Sequence, residues 1–150
     1  MAAVNIRDYV RELGKTLLDT LHNNGEQIEL SYQVADVYLD IDTAIPLGLI
    51  INELVTNSLK YAFTPHQTGK IEVDLFINDE QHLVLRVADE HYGGLMMGAK
   101  PNGTGFGSKL VKILSKKLKG TPIIQQRANG YQTEIVFQRW SEGKVFSIMT

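Results

Sequence analysis

An α+β fold is what this sequence predicts: an α/β sandwich in which a mixed, mostly antiparallel sheet carries three helices packed on one face. Three observations lead there. Helical periodicity occurs three times along the chain, the strand-like segments between the helices come in consecutive pairs, and no repeat or linker divides the whole. Strict alternation of single strands with helices would build a parallel, doubly wound sheet, whereas paired strands form hairpins and leave the helices to one side. A chain of 150 residues, 43% hydrophobic and 21% charged, has the size and composition of one globular domain. We therefore read 1–150 as a single domain, with a leading helix in 1–25, a core over about 26–138 and a tail over 140–150.

The elements follow in order. From about Asn5 to His22, Ile6, Tyr9, Val10, Leu13, Leu17, Leu18 and Leu21 recur at helical spacing on one broad face, and Asn23-Asn24-Gly25 stops the helix. Two short strand segments come next, Ile28–Val34 and Val37–Ile41, separated by Ala35-Asp36. Asp42 or Thr43 is placed to cap a second helix, Pro46 is tolerated in its first turn, and the helix ends near Phe63, before Thr64-Pro65. Lys70–Ile77 and His82–Ala88 read as a strand pair around Asn78-Asp79-Glu80-Gln81. From Asp89 to Gly105 the chain has five glycines, one proline and no period, which predicts a loop. A third helix runs from about Phe106 to Lys119, closed by Gly120. Thr121–Arg127 and Tyr131–Arg139 form a last hairpin around Ala128-Asn129-Gly130, and Trp140–Thr150 has no clear pattern.

Several classes of function are excluded early. A net charge of −2 gives no reason to expect nucleic acid or an anionic membrane as partner. The longest apolar run, Ile45–Ile51, is interrupted by Pro46 and Gly48 and is too short to span a bilayer. Arg7, Asp8, Arg11 and Glu12 break any signal-peptide pattern. No cysteine is present, so there is no disulfide framework and no thiolate site; the cell interior is the default location.

The second helix carries polar residues beside its core side. At about 100° per residue, Leu47, Ile51, Leu54, Val55, Leu59 and Ala62 share one broad side, while Lys60, Glu53 and Asn57 fall within about 60° of arc on another. One reading is a plain solvated face. Against it, Leu49 and Ile50 flank the stripe, and Asn52, Thr56 and Asn57 are middling to poor helix formers where a free surface favours Glu, Lys or Ala. An amide oxygen in a cleft suits a hard cation such as magnesium, which takes few protein ligands. Lys60 is one turn on, within reach of phosphate oxygens, and Glu53 is placed either to orient or deprotonate a nucleophile or simply to pair with Lys60.

Gly103-Thr104-Gly105-Phe106-Gly107 leads directly into the third helix. Glycines at a helix start let backbone N–H groups approach an anion, although the same pattern also serves a flexible connection. Of Lys109, Lys112, Lys116, Lys117 and Lys119, only Lys109 lies near that loop in sequence; the rest read as a solvated face. Asp89 follows the alternating Leu83, Leu85 and Val87, and is either a strand-end acceptor for the exocyclic amine of adenine or a turn-initiating Asp.

Together these segments resemble a known family. Glu53 to Ala62 looks like the N box of the ATPase superfamily that includes histidine kinases, type II topoisomerases, the heat-shock chaperone of ninety kilodaltons and mismatch-repair ATPases. Asp89 with Gly93-Gly94 resembles its first glycine box, Gly103 to Val111 its second, and Thr133 stands where the family has a threonine beside the adenine pocket. Val37 to Gly48 is similar to sensor histidine kinases. The resemblance implies the Bergerat fold, with ATP and Mg2+ as ligands. It implies that Asn57 coordinates the metal, Glu53 supports the attacking group, Lys60 contacts phosphate and Asp89 holds the adenine amine. It further implies that Gly93, Gly103, Thr104, Gly105, Phe106 and Gly107 belong to the nucleotide loops, and that Thr133 supports Asp89.

The function so implied is the cytoplasmic catalytic domain of a sensor histidine kinase, moving the γ-phosphoryl of ATP to a histidine on a dimerisation domain, with a response regulator downstream. None of His22, His66, His82 or His91 lies in an acceptor motif, so the acceptor is expected outside this chain. Two departures stand out: His91 replaces the glycine two residues after Asp89, and Gln132 replaces the glycine before Thr133. An imidazole at position 91 crowds the purine, which keeps open a module that binds nucleotide without transferring phosphate. A serine kinase of the anti-sigma-factor type is the third reading.

Overall fold

The alternating and helical patterns become two sheets and three helices in the computed structural model, which describes residues 3–23, 27–61, 63, 68–92, 106–137 and 145–148. A short strand β1 (Ala3–Asn5) leads into helix α1 (Ile6–Asn23), followed by β2 (Gln27–Val34), β3 (Val37–Asp40) and helix α2 (Ile41–Tyr61). Then come β4 (Thr68–Ile77), β5 (Leu83–Tyr92), helix α3 (Phe106–Lys117), β6 (Gly120–Arg127), β7 (Gly130–Phe137) and β8 (Val145–Ile148).

The main sheet has the order β2-β4-β5-β7-β6, with β2 and β4 parallel and every other neighbour antiparallel. The expected α+β sandwich is therefore present. Side chains alternate across it. Ile71, Val73 and Leu75 of β4, Leu83, Leu85 and Val87 of β5, and Ile135 and Phe137 of β7 are buried together with Leu47, Ile51, Leu54 and Val55 of α2. The opposite face is polar and laced with ion pairs, Lys70 to Glu72 (2.9 Å) and Arg86 to Glu134 (2.8 Å) among them. Helices thus cover the apolar face alone, as expected of an antiparallel sheet with one solvated side.

Several boundaries differ from the sequence reading. The two segments around Ala35-Asp36 belong to different sheets: β2 joins the main one, while β3 lies between β1 and β8 in a second, three-stranded sheet. α2 begins at Ile41, before either expected cap, and is capped by neither Asp42 nor Thr43. Asp40 caps it, accepting the Thr43 N–H at 2.8 Å through Oδ1. Pro46, expected in the first turn, is the sixth residue of the helix, where it removes the N–H that would bond back to residue 42. β5 extends past Ala88 to Tyr92, so Asp89 lies within a strand instead of opening a loop. Lys119, with φ 60°, and not Gly120, is the left-handed residue that ends α3; Gly120 already opens β6. Both hairpin turns fall where expected, and Asn78 Oδ1 organises the first by accepting the N–H groups of Glu80 and His82 at 3.0 and 2.9 Å. Among the described residues, no helix is long and apolar enough to cross a membrane.

Candidate functional site

Pairing between β5 and β7 ends at Ala88 and Gln132. Beyond that point the Asp89 side chain takes over from the ladder. Its Oδ1 accepts the backbone N–H of Tyr131 at 2.9 Å, its Oδ2 accepts the hydroxyl of Ser58 at 2.9 Å, and the residue is only 6% exposed. One residue pair further on, the His91 N–H donates to the carbonyl of Asn129 at 2.9 Å. The tip of the β6–β7 hairpin is thereby pinned against the end of β5. Gly130 is required there, because a Cβ would overlap both the carbonyl oxygen and the carboxylate of Asp89.

Burial pushes the Asp89 carboxyl above the ordinary carboxylate range; the Tyr131 N–H, the Ser58 hydroxyl and the charges of His91 and Arg127 pull in the other direction without cancelling it. Two donors leave the carboxylate with unused lone pairs, so it retains capacity to accept a bond from a ligand amine.

Ser58 places α2 directly over this carboxylate, and Asn57 is its neighbour in sequence. Asn57 (9% exposed) lines a cavity of about 400 Å³ with Leu54 of α2, Val111, Lys112 and Lys116 of α3, Gly120, Thr121, Pro122 and Ile124 of β6, and Thr133 of β7. The structure thus brings Asn57 and Thr133 to one cavity. Thr133 does not supply either of the two bonds that hold Asp89; those come from Ser58 and Tyr131. Glu53 is half-buried and Lys60 exposed, and neither lines the cavity. Ile50 is fully buried whereas Leu49 is 44% exposed, so the polar stripe of α2 is closed on one flank only. Phe106 and Gly107 open α3, while Gly93, Gly103, Thr104 and Gly105 lie outside the described residues. Of the basic residues on α3, Lys112 and Lys116 line the cavity in place of the expected Lys109.

Sequence reasoning missed Ser58, Gly130 and the backbone of Tyr131. For Ser58 a signal was available: it lies at about 140° from Glu53 on the helix wheel, inside the arc of core residues, where a hydroxyl demands a buried partner. Gly130 and Tyr131 carried no comparable signal, since their roles are set by backbone contacts across strands.

Among the described residues no cluster of three His, Asp or Glu side chains gathers to hold a metal. A hard cation here would rely on ligand oxygens and few protein ones, and the Asn57 amide at the cavity wall fits that donor set.

A buried acceptor at a strand end and an amide on the neighbouring helix beside a cavity define a small-molecule-binding α/β sandwich. The chain belongs to the family of histidine kinase-, DNA gyrase B- and HSP90-like ATPases, whose model matches residues 42–144. It is 27% identical over 107 residues to the blue-light-activated histidine kinase 2 of Erythrobacter litoralis, across 71% of this chain and 31% of that protein. The histidine kinase domain of the Erythrobacter litoralis EL346 blue-light-activated kinase superposes with TM-score 0.69 at 24% identity, over 85% of this chain and 63% of that one. The Acinetobacter baumannii histidine kinase AdeS superposes with TM-score 0.66 at 20% identity, over 91% of this chain and 66% of that one. This chain therefore spans about a third of the curated relative and less than two thirds of the blue-light kinase domain.

Proposed function

We propose that this chain is the ATP-binding catalytic domain of a cytoplasmic or cytoplasm-facing sensor histidine kinase. It would transfer the γ-phosphoryl of Mg-ATP to a histidine on a dimerisation helix outside these residues, for onward passage to a response regulator. One observation carries the reading. The buried Asp89 carboxylate and the Asn57 amide are tied together through Ser58, so that a base acceptor and a polyphosphate-side amide belong to one rigid unit.

In this reading Asp89 accepts the adenine amine, Thr133 walls the cavity and Asn57 holds magnesium, which when bound neutralises phosphate charge. Gly93, Gly103, Thr104, Gly105, Phe106 and Gly107 contribute the loops around the phosphates, and the start of α3 adds its positive dipole. Lys60, exposed on α2, reaches for phosphate from outside the cavity. Glu53, one turn before Asn57, orients the attacking imidazole. Such chemistry needs position and charge neutralisation and no protein nucleophile.

The test is calorimetric. Asn57→Asp and Asn57→Ala should each abolish magnesium-dependent ATP binding; unchanged affinity in both removes the assignment. A second reading, nucleotide binding without transfer, is favoured by His91, which is 4% exposed and on the same face of β5 as Asp89. Labelled phosphate appearing on a histidine decides for the kinase.

A further inference from the structure

Strand order leaves β6 with a neighbour on one side only: it pairs with β7, and among the described residues no strand lies along its other edge. The Ala128-Asn129 turn joins Arg127 to Gly130 as the closing pair of a two-residue hairpin, so those two exchange backbone bonds. Bonded pairs alternate along an antiparallel ladder. Gln125, Ile123 and Thr121 therefore bond to β7 as well, while Pro122 and Ile124 turn their backbone groups to the open edge. Proline fits there, because the sheet does not need its missing N–H. Natural edges are commonly blunted by charged side chains. This one carries no charge from Gly120 to Gln126, and Ile123 is 63% exposed on it.

Charge is gathered on the helix alongside. Residues 106–133 hold five lysines, one arginine and no Asp or Glu, whereas the other 122 residues hold nine basic and all 17 acidic side chains. Lys112 and Lys116 stand at the edge, since they line the same cavity as Pro122 and Ile124. Four residues of helix separate them by about 6 Å, close to the ~6.7 Å between alternate residues of a strand. We propose that the open edge of β6 receives an extended segment of a partner protein with acidic residues at alternate positions, its backbone continuing the sheet and its carboxylates meeting Lys112 and Lys116. The inference does not depend on the kinase reading. A peptide strand offers both the donors and the acceptors that a sheet edge pairs with. Phosphate oxygens of a nucleic acid or an anionic lipid are acceptors alone and cannot donate to the carbonyls of Pro122 and Ile124. A second copy of β6 does not match either, because it brings another lysine-bearing helix to the same edge.

The probe is a fluorescently labelled Thr-Glu-Val-Glu-Val-Glu-Thr amide, titrated by anisotropy against the full 150-residue chain. It should bind at least about tenfold more tightly than an isomer with its three glutamates consecutive, and than a single-stranded oligonucleotide of equal length. Equal binding of either control overturns the proposal, because charge without strand pairing would then suffice. Hydrogen exchange followed by NMR should show the Ile124 N–H slowed in the complex; an unprotected Ile124 removes the added strand. Lys112→Glu with Lys116→Glu should weaken the peptide by at least about tenfold, whereas Lys117→Glu, on another side of α3, should change it less than about twofold. Equal losses in the two variants, or none in the first, would show a diffuse cationic surface and end the assignment.

Discussion

Asp89 concentrates the chemistry of this molecule at the scale of one side chain. Its carboxyl is raised by burial, so in the folded protein it binds a proton more tightly than in the unfolded chain. The sign follows by linkage: its contribution to stability is full below the unfolded carboxylate pKa and is lost as pH rises through the folded one. Ser58 moderates that loss by donating to Oδ2. Ser58→Ala should therefore destabilise little in acid and progressively more toward neutrality, reaching about 1.5–3 kcal/mol for a hydrogen bond to a buried charge. Urea unfolding across that pH range measures it, and a loss independent of pH would show that Ser58 merely fills space. The same residue marks how far the sequence reached. Asn57 and Asp89 were identifiable from residue type and position, whereas the bond linking the two helical and strand segments depends on a tertiary contact 31 positions apart.

Elements with a local period were readable, and those without were not. The three helices and both hairpins repeat apolar residues over eight or more positions, so their existence was legible. β1 and β8, with three and four residues, are too short to show a period, and the separation of β2 from β3 into two sheets depends on pairing with distant strands. Asp89 to Tyr92 reads as loop because it is polar. It is strand because Glu90 reaches Lys70 on the solvated face at 3.6 Å while Asp89 and His91 find partners inside, a case of context overriding propensity. The start of α2 was displaced for a similar reason: Asp40, held at the end of β3, bonds the helix start in place of the expected Asp42 or Thr43. Asp40→Ala should cost about 1–2 kcal/mol, with Asp40→Asn retaining most of the stability because its side-chain oxygen still accepts. Thermal unfolding of the pair checks this; equal losses would mean that the charge of Asp40, and not its capping bond, matters. A buried phenol gives an opposite expectation where α1 covers β2. Tyr32 has its hydroxyl buried without a hydrogen-bond partner among the described residues and pushed up to about 12 by that burial. Tyr32→Phe should be neutral or stabilising by up to about 1 kcal/mol, since it removes an unsatisfied polar atom. It should also abolish the share of stability that wild type loses as pH climbs through that range.

Across the whole molecule, a sheet with one apolar and one charged face makes the end of β5 the place where layers meet. There α2 contacts the sheet through Ser58, and the β6–β7 hairpin contacts β5 through Tyr131 and Asn129. Three elements distant in sequence are thus fastened at one carboxylate, and Gly130 is the point where they leave no room. Gly130→Ala forces a Cβ into backbone as well as side chain, so relaxation must move a strand. Overpacking of this kind costs on the order of 1–3 kcal/mol. If the fastening also shapes the nucleotide site, the variant should lose more than stability. Saturating ligand at about 100 times Kd adds about 2.7 kcal/mol to a folded protein that binds it. In Gly130→Ala that increment, read as the rise in Tm on adding Mg-ATP at the same concentration, should shrink along with the baseline Tm. A lowered baseline with the full nucleotide increment preserved would mean that the hairpin supports the fold without shaping the site, and that Asp89 keeps its orientation through Ser58 alone.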